Sequence, residues 1–243
     1  MSLDRFTFCS DLHGDRQDGA TVKAFFDFDK EWKPHHKIFG GDLIDLRALR
    51  KGASQEEKCD SMRADIDAGR DFLSRWRPMN FLLGNHDQRL WDAASSSDGI
   101  VSDYAQRGVQ DFEALCKRTK TAMLPYHKRD GVLRIGHLKM IHGFHCGVYA
   151  ARQTALIYGS TLFGHIHAID EHSIPGLERR VARAVGCLCS TDMDYSSRAP
   201  NTLRQANGWA YGVINSKTGD YHCFQAEQIG GTWLLPRGLK QIG

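Results

Sequence analysis

Five short apolar runs along the chain each end in a cluster of polar residues and glycines. Each run has the length of a buried strand, and in open α/β sheets ligand-binding groups gather at the carboxyl ends of strands. The order of the clusters therefore predicts a domain in which five strand ends converge on one crevice. The clusters are Asp11-Leu12-His13, Gly41-Asp42, Gly84-Asn85-His86-Asp87, His142-Gly143 and Gly164-His165-Ile166-His167.

Any one of these clusters is a weak signal when it is taken alone. Asp-x-His and Gly-Asp segments are more often turns or helix caps than ligands, and His-x-His also occurs as a hydrogen-bonded surface pair. All five in this order, each behind an apolar run, are much harder to produce by chance. The functional interpretation therefore rests on the whole set.

The remaining periodicity predicts alternating strands and helices early in the chain and mainly strands after residue 180. This pattern favours one mixed α/β sandwich domain over residues 1–243, with a helical insertion at about 46–78. Predicted strands lie at 5–9, 37–39, 79–83, 138–141 and 161–163, and predicted helices at 20–32, 55–77, 149–158 and in two pieces of 88–119 separated at 95–99.

Local signals predict how some of these elements begin, end and connect. Ser54 followed by Glu57 resembles a capping box at the start of the helix over 55–77, and Pro78 ends that helix. Glycine-containing turns predict two hairpins. One turn is at 128–131, between strands at 124–127 and 132–135, and the other is at 216–219.

Composition excludes several classes of protein. Of the 243 residues 41% are apolar and 25% charged, which is typical of a globular protein with a sizeable core. The net charge of +3 is too small to indicate nucleic-acid binding by itself. No apolar run is long enough for a membrane span, and the start lacks the apolar core of a signal peptide. We therefore expect a cytoplasmic protein without membrane contact, whose seven cysteines stay reduced and form no zinc site.

The residue types in the five clusters fit metal chemistry. Carboxylates, imidazoles and amide oxygens suit borderline divalent ions such as Mn, Fe, Zn or Ni. In Asp-x-His and His-x-His, alternate residues of an extended segment point to the same side, so that both can face one ion. The neighbouring glycines allow sharp turns and a close approach of substrate.

The ordered set resembles the pattern of the calcineurin-like metallophosphoesterase superfamily, which is D-x-H, G-D, G-N-H-[DE], H and G-H-x-H. The resemblance spans residues 11–167, and every position of the pattern holds the expected residue type. It implies an αββα sandwich, with two mixed β-sheets flanked by helices, and two divalent metal ions, with Mn preferred over Fe, Zn or Ni. The implied ligands are Asp11, His13 and His167 for the first metal, Asn85, His142 and His165 for the second, and Asp42 between them.

One of these implied ligands has a competitor nearby in the sequence. His145 lies three residues after His142 and could take its place. We favour His142, because it directly follows an apolar run and precedes a glycine, as the histidine of the family does.

The resemblance also implies a mechanism. A water that bridges the two metals would be acidified to hydroxide and would attack the phosphorus of a phosphate ester. His86 would contact the phosphate and donate a proton to the leaving oxygen, and Asp87 would orient that imidazole and favour its charged form. The protein would thus be a metal-dependent phosphoric ester hydrolase with His86 and Asp87 as catalytic residues.

The predicted substrate is a phosphodiester of the nucleotide or nucleic-acid type. Protein phosphatases of the family carry an arginine after the second Asp of G-D-x-x-D and a Glu after G-N-H, whereas this chain has Leu46 and Asp87 there. A planar guanidinium is a strong clamp for phosphomonoesters, so its absence favours diesters. The alternatives are a phosphomonoesterase that acts on protein or small molecules and a non-catalytic scaffold, although a scaffold has no need for His86.

The sequence leaves two alternative roles open for each of two polar regions. Residues 46–78 carry a net charge of +2 and either meet a polyanion or cover one sheet face with an amphipathic helix, which is the default. Arg47 and Arg50 are interpreted as solvated charges. Residues 196–198 and 201–207 either line the cleft or form a plain surface loop.

Overall fold

Two mixed β-sheets packed face to face form the centre of the molecule. The structure, a computed structural model, describes residues 3–50, 52–191, 200–233 and 235. In chain order the strands are β1 (Leu3–Cys9), β2 (His36–Phe39), β3 (Asn80–Leu82), β4 (Ala122–Leu124), β5 (Leu133–Ile135), β6 (Leu138–Ile141), β7 (Thr161–Phe163), β8 (Ile169–Ile174), β9 (Arg180–Val185), β10 (Gly208–Asn215), β11 (Tyr221–Ile229) and β12 (Thr232–Trp233).

The strand order brings the predicted strand ends to one edge of each sheet. The first sheet has the order β12-β11-β10-β1-β2-β3-β4, and β1 to β4 in it are parallel. The second sheet has the order β5-β6-β7-β9-β8, and β6, β7 and β9 in it are parallel. Antiparallel neighbours complete both sheets, so both are mixed, as predicted.

Helices cover the outer faces of both sheets. The α-helices are α1 (Gly19–Trp32), α2 (Gln55–Cys59), α3 (Met62–Trp76), α4 (Asn85–Ala94), α5 (Gly99–Thr119) and α6 (Ala150–Tyr158). Buried residues of α1, α3 and α5 pack against the first sheet, and α6 packs against the second. The predicted αββα sandwich is thereby confirmed.

The space between the two sheets is filled by apolar side chains that alternate along the strands. Phe6, Phe8 and Ile38 of the first sheet meet Met140 and Leu162 of the second, and all five are fully buried. Burying one such side chain contributes about 1.5–3 kcal/mol, so this core holds the two sheets in a defined relation. The edges of the sheets that carry the polar clusters are therefore held close to each other.

Two local predictions are wrong in instructive ways. The helix predicted over 55–77 is interrupted at Asp60, which is extended, and Ser61 caps a new helix by accepting a hydrogen bond from the Ala64 amide. A second capping serine in the sequence therefore marked the break. The capping box of Ser54 and Glu57 is present, as predicted.

The hairpin predicted around residues 128–131 does not form. Strand β4 pairs in parallel with β3 in the first sheet, whereas β5 pairs with β6 in the second. The chain crosses between the sheets at this point, and the backbone pairings of β4 with β3 and of β5 with β6 replace the local hairpin. The hairpin predicted at 216–219 is confirmed between β10 and β11.

No helix among the described residues is long and apolar enough to cross a membrane.

Candidate metal centre and active site

All five polar clusters of the sequence lie at one end of the sandwich, between the two sheets. Asp11, Asp42 and Asn85 follow strands β1, β2 and β3 of the first sheet. His142 and the segment 165–167 follow β6 and β7 of the second sheet. The site is therefore built across the two sheets and is not the crevice of a single sheet.

The backbone at this site adopts a conformation that side chains other than glycine seldom take. Nine non-glycine residues in the described part of the chain have positive φ, and five of them are predicted metal ligands. These five are Asp11 (57°), His13 (54°), Asp42 (53°), His165 (70°) and His167 (52°). Such conformations cost on the order of 1 kcal/mol or more each and cluster at functional sites.

One group of potential ligands forms around Asp11, His13 and His167, all of them buried. The Nε2 atoms of His13 and His167 lie 3.0 Å apart, and His167 Nε2 is 3.4 Å from Asp11 Oδ1. The Asp11 carboxylate also accepts hydrogen bonds from the Ser10 hydroxyl and the His165 amide. These bonds hold the carboxylate in place between the two sheets.

The second group forms around Asp42, Asn85, His142 and His165. The Asp42 Oδ2 atom lies 3.2 Å from His142 Nε2, and that nitrogen is 3.1 Å from Asn85 Oδ1. His142 Nδ1 lies 2.8 Å from the Gly40 carbonyl, which fixes the ring so that Nε2 faces Asp42. Ligand atoms of Asp42, His142 and His165 all lie within 4.8 Å of one another.

Asp42 belongs to both groups. Its carboxylate is also within 4.8 Å of the ligand atoms of Asp11 and His13, and its Oδ2 lies 3.9 Å from His13 Nε2. The His86 amide donates to its other oxygen at 2.8 Å. The alternative ligand His145 belongs to none of the ligand clusters found among the described residues, whereas His142 does.

Two motif glycines leave space that these carboxylates occupy. A Cβ atom on Gly84 would lie 2.1 Å from Asp42 Oδ1, and a Cβ atom on Gly164 would lie 2.4 Å from Asp11 Oδ2. Both distances are far shorter than van der Waals contact. Gly84 therefore allows the loops after β2 and β3 of the first sheet to approach each other, and Gly164 allows the strand ends of the two sheets to do so.

The buried carboxylates and imidazoles of the site shift one another's pKa values. Burial lowers the pKa of His13, but Asp45, Asp42 and Asp11 outweigh burial and raise it to about 10. Burial also opposes the protonation of His142, yet Asp42 raises its pKa to about 9. Asp42 itself stays ionised, because His142 and His86 hold its pKa well below the usual range in spite of burial.

The donor set fits divalent metal ions. The facing Nε2 atoms of His13 and His167 can share only one proton between them, whereas one cation between them would bind both lone pairs. Buried carboxylates, imidazoles and an amide oxygen are the ligands expected for Mn, Fe, Zn or Ni. A cation would also offset the cost of burying two carboxylates, those of Asp11 and Asp42, in one site.

His86 lies at the edge of the metal groups and pairs with a residue that the sequence interpretation had not assigned. Its Nδ1 atom lies 2.5 Å from Asp45 Oδ1, and its Nε2 atom lies 3.3 Å from the Arg89 guanidinium. Arg89 is held in turn by the carbonyl of Asp45 at 2.8 Å. Asp45 and Arg89 thus form a network around the imidazole.

The orienting role predicted for Asp87 is wrong. Its carboxylate is buried and accepts hydrogen bonds from the backbone amides of Leu43, Ile44 and Gly84 at 2.8–3.1 Å. It therefore holds the loop that carries Asp42. Asp45 orients the imidazole instead, and burial, only partly opposed by the nearby carboxylates, lowers the pKa of His86 rather than favouring its charged form.

Asp65 of helix α3 holds the backbone at Asp45 in place through hydrogen bonds. Its carboxylate accepts hydrogen bonds from the amides of Asp45 at 3.1 Å and Leu46 at 2.6 Å. Asp65 is 2% exposed and lies twenty residues from Asp45 in the chain. The insertion over 46–78 therefore helps to position the site, a role that its charge pattern did not reveal.

A cavity of about 360 Å³ opens above the metal groups and His86. Three residues of the insertion contribute to its lining, as do two other segments of the chain: Arg47, Arg50 and Glu57, then Cys146 and Gly147, then Thr202, Arg204 and Gln205. The part of the polar loop at 201–207 that was an open alternative therefore lines the cleft, through Thr202, Arg204 and Gln205. Residues 196–198 lie outside the described part of the chain.

Of the two arginines at the start of the insertion, Arg47 is not a solvated charge, whereas the Arg50 side chain is 39% exposed. Arg47 is 8% exposed, and its guanidinium pairs with Asp60 at 2.6 Å and with Asp15 at 2.9 Å. Arg50 pairs with Glu57 at 2.6 Å. The other half of the insertion, helix α3, covers the first sheet, which was the default interpretation.

Sequence reasoning also missed a cysteine beside the metal ligands. Cys189 Sγ lies 3.8 Å from His167 Nδ1, and Cys189 groups with His13 and His167 as a potential ligand set. The segment that carries it had no recognisable motif. A residue 22 positions from His167 comes into contact with it only through the folding of the second sheet.

The comparison with family models agrees with this geometry. A model described as calcineurin-like phosphoesterase matches residues 4–168, about two thirds of the chain. The match covers all five clusters and the strands that carry them. The fold and the site thus define a phosphoesterase, and the chain belongs to the calcineurin-like phosphoesterase family.

Solved structures are similar to this chain over nearly its whole length, and two of them have a TM-score of 0.50. A mutant of Vps29 from Entamoeba histolytica has a TM-score of 0.50 at 14% identity and covers 95% of this chain and 96% of that chain. Vacuolar protein sorting 29 from Cryptosporidium parvum has a TM-score of 0.50 at 12% identity, with 96% and 95% covered. YfcE, a phosphoesterase from E. coli, has a TM-score of 0.41 at 10% identity, with 91% and 97% covered. No curated protein sequence matches significantly.

Proposed function

We propose that the protein is a dinuclear-metal-dependent phosphoesterase that hydrolyses a phosphodiester of the nucleotide or nucleic-acid type. The observation that carries this proposal is the shared carboxylate of Asp42. It lies within ligand distance of two separate groups, one with Asp11 and His13 and one with His142 and His165. A carboxylate in that position would hold two cations side by side.

Each residue of the predicted ligand set has a place in this proposal. Asp11, His13 and His167 would hold one cation, and Asn85, His142 and His165 the other. Divalent cations held there would supply Lewis-acid activation of water and neutralise charge on the phosphoryl group.

His86 is proposed as the proton donor to the leaving oxygen. Its Nδ1 atom is held by Asp45, which leaves Nε2 directed into the cavity beside Arg89. A bound phosphate would add negative charge next to Nε2 and would favour the protonated, donating form of the ring. Asp87 contributes by holding the loop that carries Asp42 rather than by touching substrate.

Arg89 is proposed to bind a phosphoryl oxygen of the substrate. Its guanidinium lines the cavity and is anchored through Asp45, so that it presents a fixed positive charge next to His86. Charge that develops on the phosphoryl group during transfer would meet this group without reorganisation.

The shape of the cavity supports a diester. A diester carries substituents on two sides of its phosphorus and needs room in both directions. Besides the metal groups, the lining of the cavity includes Arg47 and Arg50 of the insertion and Gly147 and Thr202 of two other segments, so it offers contacts beyond a single phosphoryl group.

A pair of chromogenic esters tests the proposal. The purified chain, supplied in turn with Mn²⁺, Fe²⁺, Zn²⁺ and Ni²⁺, is assayed with bis-p-nitrophenyl phosphate and with p-nitrophenyl phosphate. We expect metal-dependent hydrolysis that favours the diester. A preference for the monoester would reassign the protein as a phosphomonoesterase, and no hydrolysis with any metal would overturn an enzymatic role. Cyclic nucleotides, dinucleotides, single-stranded DNA and RNA would then identify the natural class of substrate.

A further inference from the structure

A second cavity, of about 680 Å³, lies at the opposite end of the second sheet from the metal groups. It opens where strands β6, β7 and β9 begin, whereas the metal ligands follow the ends of β6 and β7. Four side-chain cations and two carboxylates line it. The cations are Arg134, Lys139, Arg179 and Arg180, and the carboxylates are Glu178 and Asp220. We call this site the basic cavity.

The cations of the basic cavity have no ion-pair partner among the residues that the structure describes. Within the described residues, no carboxylate oxygen lies within 4.0 Å of a side-chain nitrogen of these four residues. Asp220, one of the two lining carboxylates, instead accepts a hydrogen bond from the Thr218 hydroxyl at 2.7 Å. Positive charge in this cavity is therefore left for a ligand.

The contrast with the other cavity is direct. Arg47, Arg50 and Arg89 in the metal-site cavity each have a carboxylate oxygen within 2.6–3.5 Å. The insertion follows the same pattern, since Arg63 and Arg75 of α3 pair with acids of their own helix. The segment 46–78, which the sequence offered as a surface for a polyanion, has most of its positive charge compensated internally.

The base of the basic cavity carries polar groups that lack full partners. The Tyr221 hydroxyl is shielded from solvent and has no hydrogen-bond partner in the structure. Lys139 Nζ donates one bond, to the Tyr158 carbonyl at 2.5 Å, and has further donors for a ligand. Burial and the charge of Arg134 lower the pKa of Lys139, so an anion placed here would relieve repulsion between two cations.

We propose that the basic cavity binds the sugar–phosphate backbone of a single-stranded nucleic acid. The four cations and two carboxylates of the lining leave a net charge of +2, which matches two singly charged phosphates of a nucleic-acid backbone. A single strand can lead successive phosphates into a concave site, whereas a stiff duplex cannot. A flat anionic membrane would leave the recessed Lys139 and Tyr221 unpartnered.

The inference deepens the proposed function, because it would supply a nucleic-acid substrate with a second point of attachment. Its test does not depend on catalysis. Binding is measured with the metals removed by EDTA, and hydrolysis of bis-p-nitrophenyl phosphate is measured separately. Failure of one proposal therefore leaves a result that is distinct from failure of the other.

The experiment is fluorescence anisotropy of a labelled oligonucleotide of about 12 nucleotides with the full chain at about 50–200 mM salt. We expect salt-dependent binding of single-stranded RNA or DNA by the wild type. The double variant Arg134→Ala/Arg180→Ala should bind about tenfold more weakly, with a salt slope smaller by roughly one to two. The matched control is Lys23→Ala/Arg63→Ala, which removes two exposed cations elsewhere and should bind within about twofold of the wild type.

Several outcomes would overturn the proposal. They are equal binding and equal salt slope for the double variant and the wild type, or no binding of the oligonucleotide by the wild type at the lowest salt. Equally effective competition by inorganic phosphate would reduce the cavity to a single-phosphate site. Binding of vesicles with about 30% phosphatidylserine in preference to the oligonucleotide would assign the surface to a membrane. A thermal melt with the same Tm as the wild type shows that the double variant is folded.

Discussion

The two ends of the second sheet each border a cavity lined by charged residues, but the residue types and their burial differ. At the carboxyl end, carboxylates and imidazoles are buried against one another, and His165 and His167 have left-handed backbone. At the amino end, Arg134 and Arg180 are exposed, lie on ordinary strands and have no acidic partners among the described residues.

This difference shows what separates a reactive site from a binding surface. A reactive site needs groups whose protonation and position are set by neighbours, and this demands burial, strain and mutual charge. A binding surface for a polyanion needs accessible positive charge and little else. The same substitution made at the metal site and at the basic cavity therefore tests whether the first is a reactive site and the second a binding surface.

The largest effect is expected for Asp42→Asn at the carboxyl end. Both ligand groups share this carboxylate, so its loss should lower kcat for bis-p-nitrophenyl phosphate by roughly 10⁴-fold or more. Metal content, measured by mass spectrometry, should fall as well. Asp220→Asn makes the same substitution at the amino end and should leave kcat within about twofold. Comparable losses in both variants would remove the distinction between the ends.

The next effect is expected for His86→Asn. Loss of a positioned proton donor should slow turnover of a poor leaving group by about 10³-fold while the metals stay bound. A better leaving group should recover much of the rate, because it needs no proton. His137→Asn, a substitution of a histidine that lines the basic cavity, serves as control. If His86→Asn kept full activity with a poor leaving group, the role proposed for this imidazole would be wrong.

Metal affinity should rise steeply with pH. The pKa of His13 is raised to about 10 and that of His142 to about 9, so both rings are protonated in the metal-free protein at pH 7. A cation must displace these protons, which predicts about a tenfold gain in affinity per pH unit for each of them between pH 6 and 8. Competition titrations with Mn²⁺ at several pH values measure the slope. A flat profile would show that the imidazoles do not bind the metal.

His13 and His142 also determine whether the stability of the metal-free protein rises or falls with pH. Their pKa values are raised in the folded state, so the stabilisation is complete below about pH 6.5 and is lost as pH rises through about 9 to 10. Thermal melts in EDTA should therefore show a declining Tm over that range, and saturating Mn²⁺ should reduce the decline.

The smallest effect is expected for Asp65→Asn. This change removes one of the carboxylate oxygens that accept hydrogen bonds from the amides of Asp45 and Leu46. Asp45 should then shift, and kcat/KM should fall about tenfold. A shift of the pH–rate profile that follows His86 would show that the effect passes through Asp45. Asp29→Asn breaks a buried ion pair with Lys37 away from the site, so it should lower Tm without moving the profile. An unmoved profile in Asp65→Asn as well would leave Asp65 a purely structural role.

How much the sequence could predict depended on how far each signal was local. The cluster Gly84-Asn85-His86-Asp87 announced a site because its residues are adjacent and follow an apolar run. Asp45 carried no such signal, although it sits three residues after Asp42, because its partner His86 is forty-one residues away. The wrong role for Asp87 had the same cause. Its position next to His86 in the sequence suggested a contact between the two side chains, but in the first turn of helix α4 the Asp87 carboxylate accepts from the Gly84 amide instead.

The charge clusters were also predictable only where the charged residues are close together in the sequence. The cations of 46–78 stood out as a dense segment, but the carboxylates of Asp15, Asp45 and Asp60 compensate Arg47 from three places in the chain. The basic cavity went unnoticed because Arg134, Lys139 and Arg180 belong to three separate strands. Only pairing of those strands in one sheet brings the charges together.

The sequence by itself determined the kinds of groups and their places at strand ends, since apolar length and glycine position are local properties of the chain. Tertiary structure alone decided which group meets which. The core between the sheets sets the distances among Asp11, Asp42, His142 and His167, and electrostatic and hydrogen-bond energies depend on those distances rather than on separation along the chain.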